Sequence, residues 1–457
     1  MLQKAKDKRY EMDMCNGPLF GNMLIFAIPL MCSSLLQLLF NAVDVIVVGK
    51  FAGDTALAAV GSNTSLINLL TNFFMGLSIG ANVLAARFYA AKREDDLTET
   101  VHTAMLLSVY SGIILTIVGC FGARLILTWM QTPSEVLEQA VIYLRIYFAG
   151  ITATMLYNFG SAILRAVGDT QRPLYYLMGA GVINVVLNLI FVIVFKMGVA
   201  GVAIATVISQ TVSATLVVRC LMREKGGIRL ELKKLHIYKD KFTRILKIGL
   251  PASFQSIVFS ISNVIIQASV NSFGAIVVAG NSAAANIEGF VWVAMNAFHQ
   301  AALTFTSQNM GAGKYERINK ILYIAIGSVF VVGLVLGNTA HFFGNSLLGL
   351  YSSNAEVLAA GMQRLGIVSR TYAICGMMDV MVGSLRGMGC SVTPMLVSMI
   401  GACGTRLFWI FTFFTLPAFH SVTSLYLTYP VSWILTLSAH IVCFMIVRKK
   451  LEKVKNN

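Results

Sequence analysis

Few residues of this chain could do chemistry, and several sit where a polar group is costly. In residues 40–61, "FNAVDVIVVGKFAGDTALAAVG", Asp44 interrupts an otherwise apolar run. An Asp at the centre of a membrane helix costs about 2.5–3.5 kcal/mol on insertion scales, and less near an end. Asn184 and Asn188 are four residues apart, so a helix would project both amides from one face. Thr206, Asn158, Gln37 and Asn41 are further polar residues in apolar surroundings. A carboxylate, amides and hydroxyls brought together could bind a proton or a small hard cation such as Na+. Burial raises a carboxyl pKa and a nearby cation lowers it, so one such group can exchange its proton for a ligand. The blander alternative is that Asp44 snorkels to, or caps, a helix end, and that the amides and hydroxyl only pack helices.

A second polar set comprises Glu288, Asp379, Arg370 and Arg406. Charges within a membrane are expected to pair, so Glu288 and Asp379 are expected to meet Arg370 or Arg406, as structural ion pairs or as cavity lining. The 28 Phe and 22 Met residues offer a soft lining for apolar cations, although most are expected to face lipid or neighbouring helices. The eight Cys residues form no CxxC pair, and neither a zinc-protease His motif nor a P-loop is present. No cofactor, disulfide framework or ATP-driven chemistry is expected, and the chain is not expected to be an enzyme.

These residues must be positioned by membrane helices. The chain is 57% hydrophobic and 12% charged, with a mean hydropathy of +0.75, too apolar for a soluble globular protein of 457 residues. Residues 17–43, 55–86, 173–195, 248–287 and 407–447 carry no Asp, Glu, Lys or Arg. Length, flanking charge and Gly/Pro breaks predict twelve spans: 18–46, 56–84, 99–123, 139–161, 174–196, 199–221, 244–272, 279–306, 319–345, 359–382, 393–416 and 421–447. Among the 20 acidic residues, seventeen fall in loops, tails or span ends, and only Asp44, Glu288 and Asp379 lie inside these spans.

The net charge of +15 does not point to nucleic acid, because its distribution follows the membrane. Lys50, Arg124 and Lys196 fall in loops on one side, and Arg145, Arg364, Arg370 and Arg406 within spans. The remaining basic residues lie at the termini, in the even-to-odd loops or at the span ends beside those loops, above all in "REKGGIRLELKKLHIYKDKFTR". By the positive-inside rule both termini are expected to be cytoplasmic. The lead "MLQKAKDKRYEMDM" reads as a charged cytosolic segment rather than a signal peptide.

Shifting the chain by 222 residues pairs Leu24 with Leu246, Pro29 with Pro251, Ser34 with Ser256, Asn41 with Asn263 and Phe51 with Phe273. A shift of 221 pairs Leu164-Arg165 with Leu385-Arg386 and Pro173 with Pro394. The expected organisation is a tail at 1–17, a lobe at 18–221, a basic linker at 222–243, a second lobe at 244–447 and a tail at 448–457. Six spans per half keep both halves in the same orientation, a parallel repeat used by secondary transporters. Pro29 and Pro251, at matching depths, are either hinges or inherited inert kinks. The repeat has diverged in chemistry: Asp379 is the counterpart of Asn158, while Thr405 and Trp409 replace Asn184 and Asn188.

"NAVDVIVVGKFAGDTALAAVG", "LRAVGDTQRP" with its repeat "LRGMGCSVTP", "GVAGVAIATVISQ" and "GLPASFQSIVFSISN" resemble the multidrug and toxic compound extrusion (MATE) family, and its DinF-like bacterial branch in particular. The resemblance implies an all-α integral membrane protein of twelve transmembrane helices in two six-helix lobes, the MATE fold. It also implies a multi-pass antiporter in the bacterial inner membrane that exports small organic cations in exchange for Na+ or H+. The lipid bilayer would be its other partner, and a monomer is expected. The family's first-helix Asp falls on Asp44, its bending Pro on Pro29 and the first member of its fifth-helix N-x-x-x-D pair on Asn184. The second member falls on Asn188, where this chain has an amide that cannot titrate. The implied ion site would be Asp44, Asn184, Asn188 and Thr206, with Gln37, Asn41, Asn158, Glu288, Arg370, Asp379 and Arg406 lining the substrate cavity. The Glu of the NorM-like branch is absent from "SISNVII" at 260–266. Rival expectations are a flippase of lipid-linked sugars or cell-wall precursors on the same superfamily fold, and, with less support, a channel or membrane receptor.

Overall fold

The computed structural model describes residues 10–456, and these are helical almost throughout. The first half comprises α1 (Leu19–Phe51), α2 (Asp54–Ala90), α3 (Glu94–Trp129), α4 (Ser134–Ala149), α5 (Ile151–Ala166), α6 (Gln171–Leu189) and α7 (Gly198–Arg223). The second half comprises α8 (Lys239–Asn271), α9 (Ala275–Gly311), α10 (Glu316–Phe342), α11 (Gly344–Gly349), α12 (Ala355–Ile367), α13 (Tyr372–Gly387), α14 (Val392–Ser398), α15 (Thr405–Phe411) and α16 (Val422–Asn456). Among the described residues, eleven helices are long and apolar enough to cross a membrane, and the bent pair α4–α5 makes a twelfth span. This is the all-α fold of two repeated halves expected from the sequence.

Several helices run well beyond the expected spans. The span expected at 99–123 is the apolar part of α3, which starts at Glu94 with Asp95 and Asp96 in its first turn. Hydropathy marks the length inside lipid, whereas acidic residues at a helix N-terminus favour the helix beyond it. The span expected at 139–161 is not continuous, since α4 and α5 meet at Gly150 with a 46° bend. A Cβ on Gly150 would lie 2.3 Å from Val207 Cγ1, so only glycine admits α7 this close to the bend. The span expected at 359–382 is interrupted at the same step of the repeat, by a 3-10 turn at Ser369–Thr371 between α12 and α13.

The chain divides into two compact units, one of residues 10–13 and 32–253 and the other of 14–31 and 254–456. In the first unit, α5 packs on α2, α3 and α7, and α7 also packs on α6. Its apolar core includes Phe159, Leu164, Val217 and Ile245, the last from α8. In the second unit, α9 and α13 form the principal contact and α10 packs on both. Between α7 and α8 the chain returns to the start of α3. There Tyr238 N donates to Thr103 Oγ1 at 3.2 Å and Lys241 Nζ to Asp96 at 2.6 Å.

Candidate functional site

Three helices of the first unit build the site around Asp44. Gly181 on α6 carries no side chain where the Phe40 ring of α1 rests; a Cβ there would fall 1.8 Å from Phe40 Cζ. That close approach aligns the helices, and one turn beyond Phe40 the Asp44 carboxylate meets the Asn188 amide. Thr206 comes from α7. Asp44, Asn184 and Asn188 are buried, and Thr206 is half-buried.

Their hydrogen bonds close into a ring. Asn188 Nδ2 donates to Asp44 Oδ1 and, at 3.2 Å, to Asn184 Oδ1. Asn184 Nδ2 donates to Thr206 Oγ1 at 3.4 Å, and the Thr206 hydroxyl faces Asp44 Oδ2 at 3.4 Å and Val202 O at 3.0 Å. Asn188 Oδ1 is buried with no hydrogen-bond partner. A buried carbonyl oxygen without a donor is costly, about 1–3 kcal/mol, and rare unless something else fills the role. The ring therefore offers one carboxylate, two amide oxygens and a hydroxyl, a donor set that suits a small hard cation. The Tyr143 and Tyr147 phenols, on α4, lie within electrostatic reach of Asp44.

The other polar residues of this half stay outside the ring. Gln37 and Asn41 occupy the two helical turns before Asp44 and are exposed. Asn158 is half-buried and donates to Thr154 O within its own helix at 2.8 Å.

In the second unit, the expected pairing of Glu288 and Asp379 with Arg370 or Arg406 is corrected. Glu288 on α9 is bound by Arg364 of α12, whose Nη2 donates to Oε2 at 2.7 Å while Nε reaches both carboxylate oxygens at 3.1 and 3.2 Å. Arg364 Nη1 also donates to Asn281 Oδ1 at 2.6 Å, and that oxygen accepts from the Tyr426 hydroxyl at 3.2 Å. Arg370 lies in the break between α12 and α13 and is exposed, so it never enters the buried cluster. Arg406 is buried, donates Nε to Ser432 Oγ at 3.0 Å, and lies 4.4 Å from the Tyr429 ring and 5.8 Å from that of Trp433. Asp379 is half-buried; its backbone carbonyl accepts from His299 Nδ1 at 2.7 Å, and its carboxylate has no ion-pair partner among the described residues.

Sequence reasoning passed over Arg364 as a partner and missed Asn281, Tyr426 and Tyr429. The available signal was the spacing of Asn281 and Glu288, seven residues apart and so on one face of α9.

The MatE family model matches this chain twice, over residues 29–190 and again over 251–412. The chain belongs to the MatE family. The two matches are displaced by the same 222 residues as the internal repeat, so the duplication seen in the sequence is the family's own. Among MatE relatives, the chain is 27% identical to a probable multidrug resistance protein, YoeA, of Bacillus subtilis, over 84% of this chain and 85% of that one. It is 20% identical to the multidrug export protein MepA of Staphylococcus aureus, over 82% of each. Two solved structures share its fold. One is a MATE family multidrug resistance transporter in an outward-facing conformation, with a TM-score of 0.87, 21% identity, and 97% of this chain and 98% of that one covered. The other is a MOP superfamily transporter of Pyrococcus furiosus with a binding pocket of reverse polarity, with a TM-score of 0.88, 22% identity and the same coverage.

Proposed function

We propose that this MatE protein is a secondary antiporter of the bacterial inner membrane, with cytoplasmic termini, which exports small organic cations in exchange for Na+ or H+. Membership of the family and the multidrug-export names of its relatives support the export of drugs and other xenobiotics. The observation that carries the coupling is the ring at Asp44 with its orphaned Asn188 oxygen. In this reading Asp44 is the coupling carboxylate. It holds the ion in one state and is free in the other, while Asn184, Asn188 and Thr206 complete the ligands. The neutral amide at position 188 leaves one titrating carboxylate in the ring, a composition that favours Na+ over a two-carboxylate proton relay.

The test is efflux of a fluorescent organic cation from proteoliposomes, driven separately by a sodium gradient and a pH gradient, for wild type and Asp44→Asn. Sodium-driven efflux that disappears in a folded Asp44→Asn variant supports the site. Undiminished efflux by that variant removes Asp44 from coupling.

A second reading, a flippase of lipid-linked precursors, draws on Arg406, a buried guanidinium with no carboxylate partner among the described residues. It requires cation efflux to be absent under both gradients from folded protein, and Arg406→Gln to abolish movement of a pyrophosphate-linked lipid.

A further inference from the structure

The start of α6 and the end of α7, with Tyr10 beside them, enclose a cavity of about 520 Å³ in the first unit. Four basic side chains line it: Arg172, Arg219, Arg223 and Lys225. Among the described residues, the Asp169 and Glu224 carboxylates lie here, and both are taken by Arg172. Arg172 is thereby fixed, and the Tyr10 ring covers its guanidinium at 5.2 Å. Arg219 and Arg223 are exposed and have neither hydrogen bond nor ion pair among the described residues. The cavity thus pairs a preformed wall with two uncommitted guanidiniums, in net cationic excess.

Its position says what that excess is for. Leu216, Arg219 and Arg223 follow one another at helical spacing, so they form a single stripe on α7. The two arginines lie in the last turns of the span, and Leu216 lies deeper along the cavity wall with its side chain exposed. On the neighbouring helix Tyr175 and Met178 are exposed just inside the same membrane end. A phosphate placed between the arginines would therefore have an apolar surface leading into the bilayer directly beside it. Basic pockets between helices at this level bind lipid head groups, and the paired donors of arginine suit a phosphodiester.

We propose that this cavity is a binding site for an anionic glycerophospholipid, with the phosphate held by Arg219 and Arg223 and an acyl chain running past Leu216. The site is separate from the ring at Asp44 and does not depend on which ion or cargo is moved.

The test is native mass spectrometry of the full-length protein released from detergent containing equal amounts of phosphatidylglycerol and phosphatidylcholine. Wild type should retain phosphatidylglycerol preferentially, and Arg219→Gln/Arg223→Gln should lose that preference by roughly thirtyfold, at about 1 kcal/mol for each basic residue near the surface. Lys233→Ala/Lys234→Ala, which removes the same charge from the linker, should keep it. Equal retention by the arginine variant, or equal loss in the lysine control, overturns the site. Should the double variant fail to fold, Arg223→Gln alone is read the same way, with a roughly threefold to fivefold loss expected. Glycerophosphoglycerol and inorganic phosphate, offered without acyl chains, should bind at least about tenfold more weakly than the lipid. Binding of either as tightly as the lipid overturns the lipid assignment in favour of a soluble phosphate compound.

Discussion

Asn188 donates its amide hydrogen to the Asp44 carboxylate while its own carbonyl oxygen is buried without a partner. One side chain thus both stabilises the charge at the site and leaves an acceptor open for something positive. Asn188→Leu removes both functions. Loss of a hydrogen bond to a charged acceptor, worth about 1.5–3 kcal/mol, should raise the sodium concentration for half-maximal efflux by roughly tenfold or more. An unchanged sodium dependence would place coupling elsewhere. Asn188→Asp acts oppositely: two carboxylates that share a site cannot both ionise, so a proton is retained at neutral pH. Efflux driven by a pH gradient should then rise against sodium-driven efflux, as measured in the same vesicles.

The alignment of α1 with α6 depends on the missing side chain at Gly181. Gly181→Ala forces the Phe40 ring away and with it the turn that carries Asp44. The variant should show a lower thermal midpoint and weaker sodium-driven efflux. Adding Phe40→Ala should recover sodium dependence, since the smaller side chain frees the space. Failure of the pair to recover would mean that the Phe40–Gly181 contact does not set the ring geometry.

Glu288 and Arg364 stand in a different balance. Glu288→Gln leaves a buried guanidinium uncompensated, at a cost of about 3–5 kcal/mol, and should sharply reduce the folded yield in detergent. Glu288→Leu/Arg364→Met removes both charges and should retain most of the wild-type thermal midpoint. If Glu288→Gln is as stable as wild type, the pair contributes little to folding.

Asp169, between α5 and α6, gives a pH signature. Burial raises its carboxyl pKa from the usual 3.8, outweighing the attraction of Arg172. A raised acid pKa means that the folded state holds the proton more tightly than the unfolded state. The associated stability is therefore full below about pH 3.8 and falls as pH rises through the folded-state value. The difference in thermal midpoint between wild type and Asp169→Asn should shift against wild type as pH increases over that window, then stay flat. A difference that does not vary with pH would contradict the shift.

Much of this was legible in the sequence because lipid is an unforgiving solvent. Charge-free stretches had to be spans, and a carboxylate at position 44 needed company that Asn184, Asn188 and Thr206 could supply. What could not be read were relations that hinge on absent atoms or on distant pairing. Gly150 reads as one glycine among 38, yet it marks the bend in the fourth span. Arg364 was in view as an in-span charge, but which of three arginines meets Glu288 depends on the break at Ser369–Thr371, which leaves Arg370 exposed. Gln37 and Asn41 share a stripe with Asp44, but hydropathy cannot tell an amide that joins the ring from one that stays outside it.

The division of the chain bears on how the protein is made. Residues 14–31 at the start of α1 belong with the second unit, whereas α8 as far as Ser253 belongs with the first. The two switches fall at equivalent steps of the duplication, each two residues after its proline, Pro29 or Pro251. Neither translated half is therefore a complete compact body. The earlier one cannot close until the ribosome has delivered part of the later one, and the later one must wait for a segment synthesised near the very beginning. Biogenesis is thus interlocked in a way that a tandem of independent modules would not be, and splitting the gene at the basic linker would yield fragments that need each other to mature.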